Sequence, residues 1–325
     1  MEQATDTLHG EVAGVAGATP VSRLGDGLRA RKQLAADAAL LMVTLIWGAT
    51  FVMVKDAVSA FPVFSFMALR FTLAAFALAP LVVWQSRRNR GQNPTRRQLR
   101  PASSMNVLFP AVLIGATLFT GYAFQTFGLQ LTTPAKAGFI TGLSVAIVPV
   151  AAALLLRQPP TRNAWIGVLL ATVGLALLSL TADLTAQRGD LLVMCCAVAY
   201  AAHILLLGHF APRYNPMQLA LGQIAIVAVL SIAAALIFAP RAAVTGQVFF
   251  AAAFTGVLAT AVAFFVQTVA QRFTTSTHTA LIFAAEPVFA GLFSFLLIGE
   301  MLGARQLTGC ALILGGMLVA ELKRR

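Results

Sequence analysis

Residues 125–142 read QTFGLQLTTPAKAGFITG, and residues 267–284 read QTVAQRFTTSTHTALIFA. The two stretches align at an offset of 142: Gln125-Thr126 falls on Gln267-Thr268, Thr132-Thr133 on Thr274-Thr275, and Ile140 on Ile282. The same offset carries Leu154-Leu155 onto Leu296-Leu297, Gly167 onto Gly309 and Gly174 onto Gly316. Upstream, Asp37 pairs with Asp190 and Trp47 with Tyr200 at an offset of 153. The chain is written twice.

What is repeated is apolar. Of 325 residues, 59% are hydrophobic and 10% charged, with a mean hydropathy of +0.83. A soluble domain is nearer a quarter charged, so this composition excludes a water-soluble globule and points to a polytopic membrane protein. A span needs about 20 apolar residues. Proline, glycine and charge divide the chain into ten such runs, near 35–57, 62–84, 105–130, 134–156, 162–180, 190–210, 216–238, 248–271, 276–299 and 304–322. In lipid the backbone must satisfy its own hydrogen bonds, so the runs are expected to be helices. Five spans fall in each copy, and an odd number forces the second copy to enter from the opposite side. The expected fold is an all-α integral membrane protein with ten transmembrane helices in two inverted five-helix repeats. Its parts are a disordered cytoplasmic tail (1–33), a first repeat (34–181), a second (190–322) and a basic tail (323–325).

A net charge of +12 first resembles a nucleic-acid footprint, but placement decides against it. With the N-terminus in the cytoplasm, 17 of the 23 Lys and Arg lie in inside segments and five (Lys55, Lys136, Arg188, Arg241, Arg305) in outside ones, with Arg70 inside a span. That bias orients both termini to the cytoplasm in the cell's inner membrane. The loop 85–104, with six arginines and no acid, suits anionic lipid. The lipid bilayer is thus the expected partner and nucleic acid is not. Cys195, Cys196 and Cys310 sit in apolar runs with no metal-ligand or disulfide spacing. They read as small fillers.

The chain resembles EamA-type permeases of the drug/metabolite transporter superfamily over about residues 34–322. The residues that carry the resemblance are Leu45-Ile46-Trp47-Gly48-Ala49-Thr50-Phe51, Leu69-Arg70-Phe71, the stretch from Pro134 to Pro149, Trp165-Ile166-Gly167, and Glu286-Pro287 with Gly299-Glu300. One departure stands out: where a Gly-Glu pair is common after the fourth span, this chain has Arg157-Gln158. The resemblance implies ten helices, a cavity between the halves, and export or exchange of small metabolites.

Residues of the spans supply the candidates for substrate binding or coupling. Glu286 lies about ten residues into the ninth span, where an ionised carboxylate needs a partner, water or a proton. Pro287 after it removes an intrahelical bond and bends the helix, and Pro149 is expected to kink the fourth span. His203 in the sixth span reads either as a titrating group or as a neutral ring satisfied by one helix–helix bond. Trp47 and Tyr200, each one turn before Thr50 and His203, are candidate cavity walls. Gln125 and Gln267 are matched amides in the third and eighth spans, read as a site on the pseudo-twofold axis or as locks within each half. Lys136 and His278 are also matched and would face opposite sides as gate charges or snorkelling groups. Arg70 is too deep to snorkel easily and is expected to serve structure, paired with a carboxylate or helix-end carbonyls.

No GxxxxGK[ST] loop marks an ATP motor, and no catalytic or metal-binding motif appears. No enzyme activity, cofactor or metal is expected. The function expected is a secondary transporter moving a small molecule, of amino-acid or drug size, by alternating access. Coupling to protons or ions, exchange and facilitated diffusion are all compatible with the sequence. The competing readings are a membrane enzyme acting on lipid-linked substrates and a non-transporting structural membrane protein. The matched polar positions of the two copies favour the transporter.

Overall fold

Leucine, alanine and valine runs coil into helix throughout, and no strand occurs among the described residues. The computed structural model describes residues 20–90, 107–132, 134–157, 159–179, 188–298 and 301–321. In chain order the helices are α1 (Pro20–Ala60), α2 (Val63–Arg90), α3 (Leu108–Leu131), α4 (Pro134–Gly142), α5 (Ser144–Leu155), α6 (Arg162–Ser179), α7 (Arg188–Phe210) and α8 (Pro216–Phe238). They continue with α9 (Gly246–Gly256), a π-helical turn (Val257–Val262), α10 (Ala263–Ala270), α11 (Ser276–Phe283), α12 (Glu286–Ile298) and α13 (Ala304–Glu321).

Among the described residues seven segments are long and apolar enough to cross a membrane, and two apolar helices, Arg162–Leu178 and Ala304–Ala320, are shorter. Large apolar side chains face outward along them: Phe76, Trp84, Leu154, Leu155, Leu236 and Phe238 are all more than half exposed. An apolar outer surface of this extent is what a lipid solvent permits and water does not. The chain is thus a multi-pass membrane protein whose described secondary structure is all helix.

Helix α1 begins at Pro20, inside the stretch expected as tail, because the Ala-, Leu- and Arg-rich residues 28–40 favour helix and run on into the first span without a break. The rest of the expected tail, most of the arginine loop and the last four residues lie outside the described residues.

Two spans are interrupted at matching places. Between α4 and α5 the chain turns at Leu143, and between α11 and α12 it turns at Ala284-Ala285. At the 142 offset Leu143 falls on Ala285. Pro149, expected to mark a kink, lies buried within α5, and the interruption comes six residues earlier. Pro287 follows the second interruption directly, as the second residue of α12, where a missing amide costs least. After α5, Arg157 adopts φ 52°, a conformation that glycine enters most easily.

Helices α6 and α13 pack antiparallel through glycines. A Cβ on Gly167 would lie 2.6 Å from the Gly316 carbonyl oxygen, and one on Gly174 the same distance from that of Gly309. Each glycine therefore faces the repeat counterpart of the other. Elsewhere the largest buried cluster joins Phe66, Met67 and Phe71 of α2 to Ile224 and Val227 of α8 and to Phe264 of α10.

Candidate functional site

Helices α1, α2, α3, α7, α10 and the break before α12 turn aromatic and polar side chains toward one another. Phe264 is at the centre. Its ring lies 5.6 Å from Trp47, 6.2 Å from Tyr122 and 5.8 Å from His203, centroid to centroid. Trp47 also meets Phe283 edge-on at 4.9 Å, and Tyr122 meets Tyr200 at 5.8 Å. These distances and tilts suit the ring quadrupoles.

Arg70 is fully inside, at 4% exposure. Its Nε donates to Thr260 Oγ1 at 2.8 Å, and its Nη2 donates to the Tyr122 hydroxyl at 3.2 Å and toward the Ala259 carbonyl at 3.5 Å. Its guanidinium carbon also sits 5.0 Å from the centre of the Tyr122 ring. Trp47 Nε1 donates to the same Ala259 carbonyl at 2.8 Å. Both Ala259 and Thr260 belong to the π turn. That turn leaves its carbonyls looser than an α-helix would, and single π turns recur at functional sites. Arg70 thus spreads its charge over hydroxyls and a carbonyl and makes no ion pair among the described residues.

Tyr200 donates from its hydroxyl to Gln125 Oε1 at 3.1 Å, and Gln125 Nε2 donates to Thr141 Oγ1 at 3.3 Å. A Cβ on Gly121 would collide with the Tyr200 ring, so that glycine makes room for it. Trp47, Gln125, Thr141, Tyr200, Phe283 and Glu286 all retain partial exposure, although they face the interior of the bundle. Each therefore borders accessible space within the bundle.

Glu286 is the first residue of α12. Its carboxylate has no hydrogen-bond or ion-pair partner among the described residues. A helix start is a favourable place for a negative charge. The backbone there packs on Gly48 of α1, where a Cβ would come within 3.0 Å of the Glu286 carbonyl oxygen and 2.9 Å of the Ala290 amide nitrogen.

The other candidates fall elsewhere. His203, 2% exposed, shares a 2.8 Å hydrogen bond with Gln223 Oε1, and Gln223 Nε2 donates to Thr268 Oγ1 at 3.1 Å. Gln267, 1% exposed, donates to Gln271 Oε1 at 3.0 Å, and Gln271 Nε2 donates to the Ile204 carbonyl at 3.0 Å. Gln125 and Gln267, matched in sequence, therefore have different partners and different access. His278 is buried on α11. The Lys136 side chain lies outside the described ones. Tyr122, Thr260, Thr141 and Phe264 were missed from sequence, although a signal existed. Tyr122 and Phe264 stand one turn before the two matched glutamines and fall on one another at the 142 offset.

No group of three or more His, Cys, Asp or Glu among the described residues is placed to hold a metal ion. The arrangement is a partly open, aromatic-walled polar chamber inside a multi-pass helical membrane protein, with one carboxylate at a helix break. The chain belongs to the EamA-like transporter family, whose model matches residues 34–180 and again 187–321. A protein of Archaeoglobus fulgidus described as an uncharacterized transporter is 32% identical over 298 residues, covering 91% of this chain and 89% of that one. The uncharacterized transporter YyaM of Bacillus subtilis is 25% identical over 295 residues, covering 87% and 92%. A chain of known crystal structure shares the fold, with a TM-score of 0.72 over 89% of this chain and 97% of that one, at 20% identity.

Proposed function

We propose that this membrane transporter is a secondary permease of ten spans in two inverted halves, with both termini cytoplasmic. It moves a small organic solute of amino-acid or drug size outward across the inner membrane by alternating access. The observation that carries the reading is Glu286: a carboxylate at a helix break, partly exposed although inside the bundle, with no hydrogen-bond or ion-pair partner among the described residues. Discontinuous helices at the midplane are a recurrent place for solute and ion sites in transporters. A carboxylate there binds a proton, a cation or a substrate amine, and aromatic walls hold an apolar or cationic solute. The cross-paired glycines of α6 and α13 support a twofold relation between the halves, since each meets the counterpart of the other.

Flux measured in proteoliposomes across a panel of amino acids and cationic drugs tests this. Glu286→Gln is expected to lower flux at least about tenfold and to flatten its dependence on pH. A variant that keeps both the rate and the pH profile of the parent would remove Glu286 from the coupling step.

A further inference from the structure

The two copies of the repeat meet at two junctions built from matching residues. At the first, the end of α3 abuts the start of α7. A Cβ on Gly128 would lie 2.5 Å from Val193 Cγ2 and 3.1 Å from the Gly189 carbonyl oxygen. At the second, the end of α10 abuts α1, and Ala270 packs with Ala36 and Leu40. The offsets map one junction onto the other residue by residue: Gly128 onto Ala270, Gly189 onto Ala36, Val193 onto Leu40.

A threonine and an aspartate lie next to each contact, and these also correspond: Thr132 with Thr274, Asp190 with Asp37. Here the symmetry stops. Thr132 Oγ1 donates to Asp190 Oδ1. The hydroxyl of Thr274 is buried and has no hydrogen-bond partner among the described residues, while Asp37 is engaged by Gln33 Nε2 at 3.5 Å. A buried hydroxyl ordinarily finds an acceptor, and the repeat names which acceptor this one would take.

We propose that Thr132–Asp190 and Thr274–Asp37 are matched latches, each holding one face of the transporter shut when made, and that the transport cycle makes them in alternation. The structure has the first latch fastened and the second undone. The proposal rests on the alternating-access reading and adds the residues that hold its two end states. These four are positioning residues: none lies among the chamber side chains, and each acts through the helix end it ties.

Hydrogen–deuterium exchange of the full-length protein, read at residues 188–194 and at 36–41 with 270–275, tests the latches without needing a substrate. Thr132→Val keeps the shape and removes the hydroxyl. It is expected to speed exchange about fivefold at the first junction, the opening expected for one lost hydrogen bond, and to slow it at the second. Thr274→Val is expected to do the reverse, and Thr132→Ser and Thr274→Ser to behave as the parent. Two valine variants that loosen both junctions together, or that leave both unchanged, would overturn the proposal. Absence of flux in the parent would count against the transport reading alone, because the exchange pattern is measured independently of flux.

Discussion

The α6–α13 seam and the chamber around Tyr200 use repeat-matched residues in opposite ways. In the seam, Gly167, Gly174, Gly309 and Gly316 bring two backbones within van der Waals contact, with no space for a methyl group. In the chamber, Trp47 and Tyr200 are equally well matched, yet one donates to a π-turn carbonyl and the other to a glutamine. Small residues leave one way to pack, so the two copies stay alike. Polar residues choose among partners, so the copies diverge around them. Gln125 keeps open space beside it, whereas Gln267 is sealed among Gln271, Ile204 and their neighbours.

If the seam is the rigid half of that contrast, filling it should do the most damage. Gly174→Val drives carbon into the Gly309 carbonyl and is expected to cost more than about 3 kcal/mol. Size-exclusion profiles and detergent melting curves report it, and a variant that melts with the parent would show that the halves are not held there. Arg70 lies at the border of the chamber. Arg70→Ala strips donors from Thr260, Tyr122 and the Ala259 carbonyl, with an expected loss of about 2–3 kcal/mol in the same melt. The glutamines sharpen the contrast further. Gln267→Leu leaves Gln271 Oε1 without its donor and should cost about 1 kcal/mol, with solute affinity intact. Gln125→Leu should cost about as much, through its lost bonds to Tyr200 and Thr141, but weaken solute affinity as well. An exchange of those two outcomes would invert the roles of the regions. Smallest is Tyr200→Phe, which drops one bond to Gln125 and about 0.5 kcal/mol, visible mainly as a modest rise in the KM for flux.

Much of this was legible in the sequence because hydropathy and the 142 offset are one-dimensional signals. They place the apolar helices, and with the 153 offset and the depth of each residue in its span they name Trp47, Tyr200, Gln125 and Glu286, all of which are partly exposed inside the bundle. The partner of Arg70 was not legible in full. A carboxylate or helix-end carbonyls were the natural expectation for a deep arginine, and the structure supplies two hydroxyls and a carbonyl of a π turn. Nothing in Val257-Leu258-Ala259-Thr260-Ala261-Val262 distinguishes it from an α-helical run. What sets it apart in the structure are the bonds that Arg70 and Trp47, distant in the chain, make to Ala259 and Thr260. The break at Leu143 was hidden for a similar reason. Proline six residues on is the conspicuous letter, while the interruption falls at Leu143, an ordinary helix former.

That π turn also changes how its span answers to lost residues. It takes up one residue more than an α-helical turn. Deleting a single residue between Val257 and Val262 would let the helix close regularly with α9 and α10 keeping their faces, whereas the same deletion in the regular helix of α10 would swing α9 about 100° around its axis relative to the rest of α10. Phe250 and Phe254, now turned outward, would sweep round, and Ala251 and Ala252 would leave the core they fill. Gly256, whose missing Cβ clears the Arg70 carbonyl by only 2.7 Å, would move off α2. Losing four residues instead shortens the span by roughly 6 Å but returns each face nearly to its place. The span is governed by the phase of its residue count more than by its length.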